Sequence, residues 1–105
     1  MTQHKIWVID DDRAMRWVLE KTFKEEGFDV TSYEEAQSAL DHLTDTQPDV
    51  ILTDIRMPGM SGLEVAQRLA RLAEPPQVVF VTAYGDHALS AFEAGAVDYV
   101  MKPVE

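Results

Sequence analysis

Short apolar runs alternate with segments of helical period along this chain, and that alternation leaves few folds open. Lys5–Ile9, Asp29–Tyr33, Val50–Thr53, Val78–Val81 and Val97–Met101 read as strands. Between them, Arg13–Glu26 repeats Met15, Val18, Leu19, Thr22 and Phe23 at helical spacing and stops at Gly27. Glu35–Leu43 sets Ala36, Ala39, Leu40 and Leu43 on one face, and Pro48 closes the loop behind it. A third helix follows the Gly59–Gly62 loop, with Leu63, Val65, Ala66, Leu69 and Leu72 inward, and breaks at Pro75-Pro76. A fourth, near Asp86–Ala94, carries Ala88, Leu89 and Phe92 and ends at Gly95. Strict alternation with short connections and right-handed crossovers predicts an α/β fold, a doubly wound parallel five-stranded sheet. The flavodoxin-like strand order 2-1-3-4-5 suits this size, and residues 1–105 form a single domain. Val78–Val81, apolar throughout, is expected to be a central strand.

The chain stops two residues after Pro103, which leaves no room for a helix after the fifth strand. One sheet face is then expected to be under-covered near the last strands. A homodimer, an exchanged segment or lowered stability is expected to follow.

Each strand of such a sheet delivers its C-terminal end to one edge, where this class of fold carries its chemistry. Asp10, Asp11 and Asp12 follow the first strand, Asp54 the third, and Lys102 the fifth, while Thr82 ends the fourth. Asp12 lies next to a helix start and is assigned to capping. Asp10, Asp11 and Asp54 form an all-oxygen donor set suited to Mg²⁺. A carboxylate such as Asp54 can also act as a nucleophile toward phosphorus. Thr82 and Lys102 are placed to offer a hydroxyl and a point charge to a phosphoryl group. No Gly-rich phosphate loop follows the first strand, so a free nucleotide site is not expected.

The remaining composition narrows the class. Nineteen acids against nine basic residues give a formal charge of −10, which argues against direct nucleic-acid binding by this domain. No apolar run is long enough for a membrane span and no signal-type N-terminus is apparent, so a cytoplasmic location is expected. Cysteine is absent, which excludes disulfides and thiolate metal sites. His4, His42 and His87 lack metal-ligand spacing and read as surface or capping residues; Trp7 and Trp17 read as core and helix-packing residues. Arg13, Arg16 and Arg56 do not make a basic patch.

With these residues assembled, the chain resembles the response-regulator receiver domain of two-component signalling from Lys5 to Pro103. The motifs that carry the resemblance are Asp10-Asp11, Asp54-Ile-Arg-Met-Pro-Gly-Met-Ser-Gly62, Thr82-Ala83 and Lys102-Pro103. The resemblance implies a regulatory phospho-acceptor rather than a metabolic enzyme, one that assists its own phosphorylation and dephosphorylation. Asp54 would accept a phosphoryl group from a sensor histidine kinase and control an attached output, transcription foremost. Asp11 would bind Mg²⁺ directly, Asp10 would assist, and Asp54 with the Arg56 backbone carbonyl would complete the protein ligands. Thr82 and Tyr99 would form the switch pair, Lys102 would contact the phosphoryl group, and the Lys102–Pro103 peptide is a cis candidate.

Two other readings stay open: an Mg²⁺-dependent phosphatase or phosphotransferase, and a truncated or engineered scaffold without signalling output. The first half, Val8–Glu20 with the Asp54 loop, looks like nitrogen-regulation receivers. The second, Val79–Lys102, looks like receivers attached to LytTR-type DNA-binding domains. A mosaic joined near Met57–Leu63 is therefore expected, against a natural receiver with ordinary drift.

Overall fold

The computed structural model of the chain describes residues 4–43, 45–55, 57–82 and 98–101. Along them run β1 (Lys5–Ile9), α1 (Arg13–Glu25), β2 (Asp29–Tyr33), α2 (Ala36–Asp41), β3 (Val50–Thr53), α3 (Gly62–Leu69), β4 (Gln77–Thr82) and β5 (Asp98–Met101). All pairings are parallel and the sheet order is β2-β1-β3-β4-β5, as the alternation predicts. The helix expected near Asp86–Ala94 lies outside the described residues, as do Arg56, His87, Lys102 and Pro103.

Side-chain alternation along the strands divides the core in two. Trp7, Ile9, Ile51, Val78 and Phe80 pack with Ala36 and Ala39 of α2 and Val65, Ala66 and Leu69 of α3. Ile6, Val8, Val30, Leu52 and Val81 point the other way and meet Leu19 of α1. The chain order explains the imbalance. The β1-to-β2 crossover runs opposite to those of β2-to-β3 and β3-to-β4, so a constant right hand puts α1 on the face opposite α2 and α3. Among the described residues α1 is the helix on that face; it spans about 10 Å, less than the width of five strands spaced about 4.8 Å apart. Between α1 and the neighbouring strands runs a wholly apolar groove of about 370 Å³, lined by residues that include Leu19, Phe23, Leu52, Val79 and Val81.

The helix ends follow local chemistry. Asp12 caps α1, its carboxylate accepting from the Ala14 and Met15 N–H groups, as assigned from the sequence. At the other end, Gly27 at φ +91° donates to the Lys24 carbonyl and Phe28 donates to the Phe23 carbonyl. These are the paired bonds of a Schellman cap, and the Phe23 and Phe28 rings close it edge to face at 6.0 Å. Glu26 is thus the cap rather than the last helical residue. The third helix also ends earlier than its apolar period suggests: Arg71 and Leu72 donate to Arg68 and Leu69, tightening the chain into 3₁₀-type turns. Leu72 still packs on the core from that turn.

One packing expectation fails. Trp7 is buried at 2% exposure, but Trp17 is 60% exposed. Met15, Leu19 and Phe23 already fill the inward side of α1, and Trp17 falls on the side facing away from the sheet.

Candidate functional site: a carboxylate cluster at the strand ends

The sheet ladder itself carries the two buried aspartates past their strands. Asp10 N–H donates to the Tyr33 carbonyl at 3.1 Å, extending the β1–β2 pairing, and Asp54 N–H donates to the Ile9 carbonyl at 3.0 Å, extending β1–β3. Both backbones are therefore fixed by sheet geometry rather than by loop packing. Asp10 is 1% exposed and Asp54 6%, while Asp11 stands exposed at the rim.

Each carboxylate has a defined anchor. Asp10 Oδ1 accepts from the Asp12 N–H at 2.9 Å, and the Arg16 guanidinium donates to the Asp10 carbonyl at 2.7 Å. Asp54 Oδ1 accepts from the Ile55 N–H at 2.8 Å, which sets the rotation of that carboxylate. The Thr53 hydroxyl donates to the Asp54 carbonyl at 3.0 Å. Oxygens of Asp10, Asp11 and Asp54 come within 4.8 Å of one another. Three like charges so close, two of them buried, repel strongly in a medium less polar than water. A divalent cation with oxygen preference relieves that repulsion, so the donor set fits Mg²⁺. The Tyr33 ring packs against Trp7 and His42, and burial pushes its hydroxyl above its ordinary pKa.

A further participant has a contact that is not legible in the motif. Gly62 opens α3, where Ser61 caps the helix through the Glu64 N–H. Gly62 N–H donates to the Ile55 carbonyl at 2.8 Å. A Cβ at position 62 would stand 2.0 Å from the Asp54 carbonyl oxygen and 2.9 Å from its carbon. Only glycine lets the helix start lie against the backbone of Asp54. The sequence marks Gly62 as a loop boundary, while this contact appears only once the chain is folded.

Asp10, Asp11 and Asp54 are thus brought together as expected. Thr82 ends β4 opposite Met101 of β5, and Tyr99 lies in β5 opposite Phe80. His4 and His42 are exposed, and His42 caps α2 with its ring bonded to the Ser38 carbonyl, in keeping with the surface and capping reading. Trp17 is the misassigned aromatic.

The profile of the response regulator receiver domain matches residues 6–105. The chain belongs to that family. It is 42% identical over 94% of its length to the DNA-binding transcriptional regulator NtrC of Klebsiella pneumoniae, of which it spans 22%. It is 34% identical over 96% of its length to the sensory transduction protein LytT of Bacillus subtilis, spanning 43% of that protein. Among solved structures, the response regulator protein TrrA of Thermotoga maritima, in complex with Mg²⁺ and BeF, superposes with a TM-score of 0.87. That match has 32% identity and covers 98% of this chain and 90% of TrrA.

The receiver therefore spans about a fifth of the NtrC-type relative it matches. Both the NtrC and LytT matches run through the Met57–Leu63 loop, so neither half requires a separate origin and the mosaic expectation finds no support. Receiver domains are regulatory phospho-acceptors of two-component systems, and this one carries the acidic cluster through which such domains take Mg²⁺. Among the described residues, no helix is long and apolar enough to cross a membrane.

Proposed function

We propose that this receiver accepts a phosphoryl group on Asp54 from the phosphohistidine of a sensor histidine kinase, in the cytoplasm, and thereby controls an attached output domain that acts on transcription. The observation that carries the reading is the convergence of the Asp10, Asp11 and Asp54 oxygens within 4.8 Å at the strand-end edge. Asp10, Asp11, Asp54 and the Arg56 carbonyl would hold Mg²⁺, which when bound supplies positive charge against the phosphoryl oxygens.

The Asp54 carboxylate attacks phosphorus; an O–P bond forms as the N–P bond of phosphohistidine breaks. The imidazole nitrogen keeps the electron pair and takes up a proton from solvent. The anchoring bond from Ile55 N–H to Oδ1 supports this role, because it orients the nucleophile before the donor arrives. The acyl phosphate adds roughly one negative charge beyond the original carboxylate, and Thr82 and Lys102 are the residues assigned to answer it. Thr82 and Tyr99 then carry the change as a population shift worth about 1–3 kcal/mol. The same residues assist hydrolysis of the acyl phosphate.

The test is Mg²⁺-dependent labelling by acetyl phosphate, comparing the wild type with Asp54→Asn. A labile stoichiometric adduct in the wild type, lost in the variant and without Mg²⁺, is the expected result. Multiple turnover on unrelated phosphoesters would instead point to a phosphatase, and no labelling would point to a scaffold.

A further inference from the structure

The acidic loop between β1 and α1 is closed by hydrogen bonds, and one of them comes from a side chain outside the carboxylate cluster. Asp10 is tied to β2 through its N–H, which donates to the Tyr33 carbonyl at 3.1 Å. Asp12 turns back onto it, its N–H donating to Asp10 Oδ1 at 2.9 Å, while its own carboxylate caps α1. From the first turn of that helix the half-buried Arg16 reaches back six residues, and its guanidinium donates to the Asp10 carbonyl at 2.7 Å. The Arg16 N–H donates to the Asp12 carbonyl at 3.0 Å, so the side chain departs from a fixed helical backbone.

Asp11 lies between these anchors. The Asp10 carbonyl belongs to the peptide that joins Asp10 to Asp11, and the Asp12 N–H to the peptide that joins Asp11 to Asp12. Peptide groups are planar, so a bond to one polar atom restrains the whole plane. With a restraint on each side, the direction in which Asp11 leaves the backbone is set, although its side chain stands exposed at the rim. The Asp12 restraint is made within the loop. The Arg16 restraint is the one that ties the Asp10–Asp11 peptide to a helix side chain. A guanidinium suits the task, because it stays charged and its hydrogen bonds are stronger than neutral ones.

We infer that Arg16 is a positioning residue for Mg²⁺: by holding the Asp10–Asp11 peptide, it keeps an Asp11 oxygen within 4.8 Å of those of Asp10 and Asp54. The inference rests on the reading that these carboxylates take Mg²⁺, and adds the residue that orders the exposed one. The bond ends on a backbone carbonyl, so it restrains the loop without drawing on a carboxylate oxygen. Outer groups that orient metal ligands in this way cost about ten- to hundredfold in affinity when removed.

Charge alone predicts the opposite sign. A guanidinium beside the cluster repels an incoming dication, so an uncharged replacement acting only through electrostatics would tighten Mg²⁺ binding. Positioning predicts that the same replacement weakens it. Ion size supplies a second signature. Mg²⁺ demands near-ideal octahedral geometry, whereas Ca²⁺ accepts irregular oxygen shells. A loosened Asp11 therefore penalises Mg²⁺ more than Ca²⁺, which a general loss of stability would not do.

The experiment titrates wild type, Arg16→Gln and Arg16→Lys with each ion, following the amide NMR shifts of the loop in spectra that also report folding. Arg16→Gln is expected to raise the Kd for Mg²⁺ about tenfold and that for Ca²⁺ less than about threefold. Arg16→Lys keeps the charge but not the planar fork, and an intermediate Mg²⁺ loss of about threefold is expected, with Ca²⁺ binding unchanged. Unchanged or tighter Mg²⁺ binding by Arg16→Gln would overturn the inference, as would equal losses for the two ions. Should Arg16→Gln fail to fold, Arg16→Lys decides, and affinities for both ions within about 1.5-fold of wild type would overturn it. A wild-type chain that binds no Mg²⁺ would defeat the metal reading itself, and the inference with it.

Discussion

Asp49 and Asp54 bracket β3, and the two ends of that strand put the same side chain to opposite uses. Asp49 is exposed; its carboxylate accepts from the Lys5 N–H at 2.7 Å and lies 3.5 Å from His4 Nδ1. Its backbone accepts from Gln77 and donates to Lys5, so it clasps β1, β3 and β4 at their N-terminal ends. Asp54 is buried, and oxygens of two further carboxylates share its surroundings. One end spends an aspartate on local satisfaction in water. The other gathers three carboxylates at one edge, a donor set that fits a divalent cation.

The comparison can be broken by removing one charge at a time. Asp54→Asn should have the largest effect, lowering Mg²⁺-dependent labelling by acetyl phosphate at least about hundredfold, since the amide is a poor nucleophile. Next, Asp10→Asn should weaken Mg²⁺ binding about tenfold to hundredfold in a titration.

Gly62→Ala should cost about 1–3 kcal/mol in denaturant unfolding, because its Cβ must displace the Asp54 backbone. Labelling should slow in that variant even under conditions where it is fully folded. The smallest effect belongs to the opposite edge: Asp49→Ala should lose about 1 kcal/mol of stability or less and leave labelling unchanged.

Much of this could be read before folding. The order β2-β1-β3-β4-β5 follows from alternation and handedness, and the Asp10, Asp11 and Asp54 cluster follows from strand ends sharing an edge. What escaped was set by through-space geometry. The approach of Gly62 to the Asp54 carbonyl depends on the angle at which α3 leaves the loop, and periodicity carries no information on that angle. Trp17 was misread because hydrophobicity predicts burial only until a helix face is full, and Met15, Leu19 and Phe23 fill it first. The early end of α3 reflects turn hydrogen bonds after Leu69, where apolar spacing continues to Leu72 without the helix.

The most direct test of the account locates the phosphoryl group itself. After incubation with Mg²⁺ and acetyl phosphate, borohydride reduces an aspartyl phosphate to homoserine, which peptide mass spectrometry assigns to one position. The account predicts homoserine at position 54 in the wild type and in Asp49→Ala, and at no position in Asp54→Asn. Homoserine at position 10, 11 or 49, or an undiminished signal in Asp54→Asn, would contradict it.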